Sequence, residues 1–193
     1  MTIKKQNNKL TRSNRSYELL DYDEKWSKTF EKLKSTLSEI YGDLAVDIQH
    51  IGSTSIPGMI AKPTIDVIVL TKNMAKIKDL YLIFESRGYV CWGDFVAENE
   101  EYFTFDDKPG HRLYNVHTMQ VGSMHAKSVL VFRDYMRTHD QAAKEYMDIK
   151  LKLRDMFGSD DYIRYNDEKA QLMQKLKDDS LVWAESVNHP ALS

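Results

Sequence analysis

The chain has 193 residues, of which 42% are hydrophobic and 29% charged, with a formal net charge of -2. That balance describes a folded domain of ordinary size and excludes a chain disordered throughout. It also excludes the strongly basic surface that a long nucleic-acid duplex or an anionic membrane would favour, while a small anionic ligand needs only a few local cations.

A lone cysteine, Cys91, cannot form an internal disulfide, which fits a reducing, cytoplasmic setting. No apolar run approaches the ~20 residues that span a bilayer, so no membrane partner is expected. Residues 1–16 are polar and basic and lack the apolar stretch of a secretory signal. They read as an extension, residues 17–185 as a single domain, and residues 186–193 as a tail.

The first periodic segment runs from about Glu24 to Ile40. Trp26, Phe30, Leu33, Leu37 and Ile40 recur at helical spacing, with Asp23 as N-cap and Gly42 as stop. A strand is expected over Leu44–Ile51, followed by the small, hydroxyl-rich run Gly52-Ser53-Thr54-Ser55. Thr64–Leu70 reads as a central strand covered on both faces, since only Asp66 interrupts its apolar residues. Met74, Ile77, Leu80 and Phe84 mark a second helix capped by Asn73. Tyr89–Asp106 reads as two strands around an acidic turn, Glu98-Asn99-Glu100-Glu101, with Cys91 a buried, inert thiol. Asp107-Lys108-Pro109-Gly110 is a turn, and Arg112–Val121 a further strand. Three helices are expected last: Ala126–Arg137, Gln141–Phe157 with Ala142, Tyr146, Ile149 and Leu153 inward, and Asp161–Trp183. The order gives an α+β fold, a mixed β-sheet flanked by helices with a helical C-terminal third.

Three stretches carry chemistry. In His50-Ile51-Gly52-Ser53-Thr54-Ser55, a glycine after a strand lets a ligand approach the backbone, and successive N–H groups and hydroxyls can receive phosphate oxygens. Lys62 adds positive charge beside them. The alternative is a plain serine-rich turn. Asp66 is a carboxylate in an apolar strand, costly to bury unless paired, hydrogen-bonded or bound to a metal such as Mg²⁺. In His111–His117, alternation puts Leu113, Asn115 and His117 on one face. His117 could serve as base, proton shuttle or metal ligand, and Arg112 could clamp a phosphate or carboxylate. A core histidine and a surface arginine are the plainer alternatives.

Together these stretches resemble the GrpB family. The resemblance includes Tyr22-Asp23-Glu24-Lys25-Trp26 with Phe30, and His50 to Gly58 with its continuation to Asp66. It adds Arg112, His117, the Phe132-Arg133-Asp134-Tyr135-Met136-Arg137 segment, and Tyr165 to Lys169. It implies a nucleotidyltransferase-like fold. Enzymes of that fold carry a Gly-Ser turn, two acids one residue apart on the next strand, and a third acid on a later strand. They hold two Mg²⁺ ions and move a nucleotidyl group. Gly52-Ser53 matches the turn and Asp66 the first acid, but Ile68 stands at the second position and His117 near the third. Asn115 stands where GrpB proteins commonly have the first histidine of a His-x-His pair.

The resemblance therefore implies Mg or Mn at Asp66 and His117, with those two residues catalytic. Gly52, Ser53, Thr54, Ser55, Lys62, Arg112, Arg133 and Lys169 would hold a phosphorylated small molecule or nucleotide. Three functions stay open: nucleotidyl or phosphoryl transfer, a non-catalytic binding module, and a metal-dependent hydrolase. A rescuing second carboxylate would come from Asp47, Asp94 or the acids near Glu98. Resemblance to GrpB domains fused to dephospho-CoA kinase suggests a link to coenzyme A metabolism, but this chain lacks a kinase phosphate loop.

Overall fold

The computed structural model describes residues 18–158 and 161–192, apart from the side chain of Tyr162. The extension expected at residues 1–16 lies outside them. Helix α1 spans Lys25–Tyr41, and its repeat buries Trp26, Phe30, Leu33, Leu37 and Ile40 on one face. The N-cap is Glu24 rather than Asp23, which stands one residue earlier and accepts the Lys25 N–H at 2.9 Å. Gly42 stops it at a φ of +51°, where a side chain would be strained.

Five strands form one sheet: β1 (Asp47–Ile51), β2 (Ile65–Thr71), β3 (Val90–Gly93), β4 (Glu100–Lys108) and β5 (His111–Gln120). Their order is β1-β2-β5-β4-β3. Strands β2 and β5 are parallel, and the other neighbours are antiparallel. This is the mixed sheet expected from the sequence. Strand β1 starts at Asp47 rather than Leu44 because Gly42–Leu44 close a 3₁₀ turn.

Strand β2 is covered on both faces, and Val67, Ile68 and Val69 are all fully buried. One face carries Ile65, Val67 and Val69, which join Ile48, Val116 and Phe103 beneath α1 and Phe84. Burying each such side chain contributes about 2 kcal/mol before chain entropy is counted. Phe84 belongs to helix α2 (Tyr81–Ser86) and stacks on Phe103 at 4.0 Å. The segment before it differs from expectation. Met74–Leu80 is 3₁₀, and Asn73 gives no side-chain cap, although Ile77 and Leu80 still point inward.

The other face carries Asp66 and Ile68 and meets the helical third. Helices α3 (Met124–Thr138), α4 (Asp140–Phe157), α5 (Tyr162–Leu172) and α6 (Gln174–Ser186) follow in order. Ile51, Ile68 and Met119 pack against Ala126 and Leu130 of α3. The helix expected from Asp161 to Trp183 is two helices. They part at Met173, which turns inward to pack with Ile56, Met59, Met136, Tyr146 and Leu176. Residues beyond α6 fold back on α3, where Lys127 Nζ donates to the Leu192 carbonyl at 2.7 Å.

Ser123 is the N-cap of α3, its Oγ accepting the Ala126 N–H at 3.3 Å. Ser123→Ala should lower stability by about 1 kcal/mol, read as a shift in urea midpoint with unchanged slope.

Candidate functional site

Strand β1 ends opposite the start of β2, so that Ile51 pairs with Asp66. Gly52 then turns the chain with φ +69° and ψ -174°, a region essentially reserved for glycine. A Cβ built on Gly52 would lie 2.4 Å from Asp66 Oδ2. The glycine is thus required twice, once by backbone conformation and once by the carboxylate pressed against it.

The three hydroxyls after Gly52 part ways. Ser55 Oγ donates to the Gly52 carbonyl at 2.6 Å. Thr54 Oγ1 donates to the Thr64 carbonyl at 3.2 Å and meets His50 Nε2 at 3.0 Å. Both residues are buried, and they border a polar cleft on the outer side of β1. Ser53 instead meets Tyr146 Oη at 3.1 Å and, with Gly52 and Asp66, lines a cavity of about 550 Å³. The expected four-residue cradle is therefore divided between two surfaces.

Asp66 is half-buried at the wall of this cavity. Its Oδ1 accepts from Asn115 Nδ2 at 2.6 Å. Asn115 Oδ1 in turn accepts from Tyr102 Oη at 2.7 Å and Arg112 Nη1 at 3.0 Å. Arg112 Nε pairs with Asp106. Arg112 thus spans β4 and β5 and does not border the cavity. Through Asn115 it holds the Asp66 carboxylate in place.

His117, the next residue but one after Asn115 on β5, does line the cavity. Its Nδ1 hydrogen-bonds to Glu100 Oε1. Glu100 is 2% exposed. Its Oε2 has no hydrogen-bond partner among the described residues and lies 3.4 Å from His125 Nδ1. Burial raises the Glu100 pKa, but the two imidazoles outweigh burial and hold it below the ordinary value. The sequence reading placed Glu100 and Glu101 in a turn. Both belong to β4 and are buried, Glu101 accepting a hydrogen bond from Tyr81 Oη.

The cations divide as well. Arg133 is buried and borders the cavity, but its Nη1 donates to Gln49 Oε1 at 2.7 Å and the His50 carbonyl at 3.1 Å. Its remaining nitrogens bind Asp134. It ties α3 to β1. Lys169 lines the cavity and lies 5.7 Å from the Tyr165 ring centre. Lys62 lies 5.1 Å from the same ring and donates to Asn166 Oδ1 at 3.3 Å. Lys150 escaped the sequence reading. It is 2% exposed and donates to the Ile60 carbonyl at 2.5 Å. Burial, then Lys169 and Lys62, push its pKa well below the lysine range.

The side chains do not fit a two-metal centre. Among the described residues, no three His, Cys, Asp or Glu side chains cluster so as to hold a metal ion. The second-acid position, Ile68, lies in an apolar cluster. Asp47 sits at the far end of β1, opposite Leu70. His117 turns one ring nitrogen to Glu100, and two-ion chemistry needs several carboxylates.

A mixed five-stranded sheet, a helical last third and a Gly-Ser turn closed against a strand aspartate define an α+β protein with a recessed cavity beside that turn. This chain belongs to the GrpB protein family, whose model matches residues 16–179. It is 32% identical over 171 residues to UPF0157 protein YqkA of Bacillus subtilis (strain 168), covering 83% of this chain and 49% of that one. The chain therefore spans about half the length of that relative. Its fold is similar to the crystal structure of the conserved protein GrpB from Enterococcus faecalis, with TM-score 0.76 and 28% identity over 85% of this chain and 97% of that one. It is also 24% identical over 195 residues to Dephospho-CoA kinase of Mycobacterium leprae (strain TN), covering 87% of this chain and 47% of that protein. No described helix is long and apolar enough to cross a membrane.

Proposed function

We propose that this chain is a nucleotidyltransferase-like protein that binds a phosphorylated small molecule, foremost a nucleotide, in the cavity between the Gly52-Ser53 turn and helices α3 to α6. The observation that carries this reading is the cavity wall. Gly52 and Ser53 line a cavity of about 550 Å³ together with Lys169 and Lys177, a volume suited to a nucleotide. Backbone N–H groups and amines are the partners a phosphate needs. Because the carboxylates do not fit a pair of Mg or Mn ions, binding that does not depend on metal is the form the side chains favour. Nucleotidyl or phosphoryl transfer is the catalytic extension of the same site.

The match to a protein named dephospho-CoA kinase supports a second reading, a binding module linked to coenzyme A metabolism. The two differ in ligand. Thermal unfolding with ATP, dephospho-CoA and coenzyme A, each in EDTA and in Mg²⁺, separates them. A ligand at ten times its Kd should raise Tm by roughly 4 °C in EDTA. Lys169→Gln should weaken binding about tenfold, the loss of one charge-assisted contact. No shift with any of the three compounds would overturn the proposal, and a shift seen only with Mg²⁺ would restore the metal-dependent reading.

A further inference from the structure

Glu100, His117 and His125 have no part in ligand binding as described above, yet two of them line the same cavity. Glu100 lies behind His117, with a side-chain exposure of 1% against 18% for the imidazole. A buried carboxylate held ionised can only accept, so His117 Nδ1 carries the proton of their hydrogen bond. In the neutral imidazole the other ring nitrogen, Nε2, is then the one that keeps a free lone pair. It makes no hydrogen bond among the described residues, and His117 borders the cavity. Tyr102, whose ring lies 4.8 Å from the imidazole, fixes the ring plane from one side. Tyr102 is itself held by its bond to Asn115. Carboxylate, imidazole and open cavity thus stand in the order that makes a histidine a base.

We propose that Glu100 and His117 form a proton-accepting dyad, with Glu100 the positioning residue and His117 Nε2 the base that receives the proton of a hydroxyl in the cavity. This rests on the reading that the cavity takes a phosphorylated ligand. The step it serves joins a hydroxyl compound, either water or an alcohol, to a phosphoanhydride. The O–H bond breaks and its proton passes to Nε2. The oxygen keeps the electron pair and bonds to phosphorus. The bridging P–O bond breaks, and its pair leaves with the departing phosphate. The imidazolium left behind is offset by Glu100. His125 Nδ1 lies 3.4 Å from the other carboxylate oxygen, Oε2, on the side away from His117.

Two measurements on the ligand-free protein test this apart from ligand binding. Long-range ¹H–¹⁵N spectra of the histidine side chains should show His117 as the Nδ1–H tautomer in the native chain. Glu100→Leu, a buried apolar replacement of similar size, should move it toward Nε2–H with the amide spectrum otherwise retained. Diethyl pyrocarbonate, which attacks unprotonated imidazole nitrogen, should modify His117 about tenfold more slowly in Glu100→Leu than in the native chain. An Nε2–H tautomer in the native chain overturns the dyad, whether or not Glu100→Leu folds. Equal modification rates in a folded Glu100→Leu also overturn it. Loss of the ATP thermal shift, with the tautomer as expected, would instead sink the ligand reading and leave the dyad standing.

Discussion

Gly52→Ala is expected to cost about 4 kcal/mol and to lower Tm by on the order of 10 °C. Two effects add. The backbone at φ +69° and ψ -174° costs a non-glycine residue about 2 kcal/mol. The new methyl would stand 2.4 Å from Asp66 Oδ2, so the carboxylate must leave Asn115 Nδ2, a charge-assisted bond of about 2 kcal/mol. For a chain of this size each kcal/mol moves Tm by roughly 2–4 °C. Differential scanning calorimetry gives the result directly, and a Tm within 2 °C of the native value would refute the close approach. Any ligand bound at the turn should be lost with it, since Asp66 would swing into the cavity.

The second large effect is acid sensitivity from His50. This imidazole is 8% exposed, stacks on Phe30 at 4.8 Å and meets Thr54 Oγ1. Burial, then the charges of Arg137 and Arg133, push its pKa down to about 4. The unfolded chain takes up this proton near 6.5, and the folded chain not until about 4. Stability from this group is therefore complete above pH 6.5 and is lost as the pH falls toward 4. The loss is about 2–3 kcal/mol at pH 4.5. Urea unfolding at pH 7.5 and 4.5 should show it in the native chain. His50→Gln keeps a hydrogen-bonding group toward Thr54 but cannot be protonated, and should flatten the difference by that amount. Glu100, also held low by its imidazoles, adds to acid loss in both chains, so the comparison isolates His50. Parallel pH dependence in the two would rule out a neutral buried His50.

The parts of the fold legible in the sequence are those where local pattern and tertiary environment agree. Trp26 to Ile40 repeats at helical spacing and packs on that face. Asp66 stands out because acids are rare in strands buried on both sides, and it does face the cavity. The alternation on β5 correctly set Asn115 and His117 side by side. What escaped is satisfied only at long range. Glu100 and Glu101 sit in a polar run that reads as a turn, and nothing nearby announces that imidazoles and a tyrosine await them. Lys150 looks like the solvated face of a helix until its amine is seen on the Ile60 carbonyl, 90 positions away. Thr54 and Ser55 resemble Ser53 in composition, but the 3₁₀ turn sends them to a different surface. The break at Met173 carries no glycine or proline.

The parallel pairing of β2 with β5 bears on how the chain reaches its native state. Asp66 and Asn115, which form the polar centre of that seam, are 49 positions apart. The β4-β5 hairpin closes a two-residue loop and can organise early, and the antiparallel β1-β2 pair closes a connection of 13 residues, but the seam joins them only after a longer loop loses its freedom. High contact order is thus concentrated at the cavity wall, and the pocket is completed late, when two preformed halves zip together. Until then the apolar edges of β2 and β5 stand open to other chains, which makes the same junction the point of greatest exposure to aggregation during synthesis.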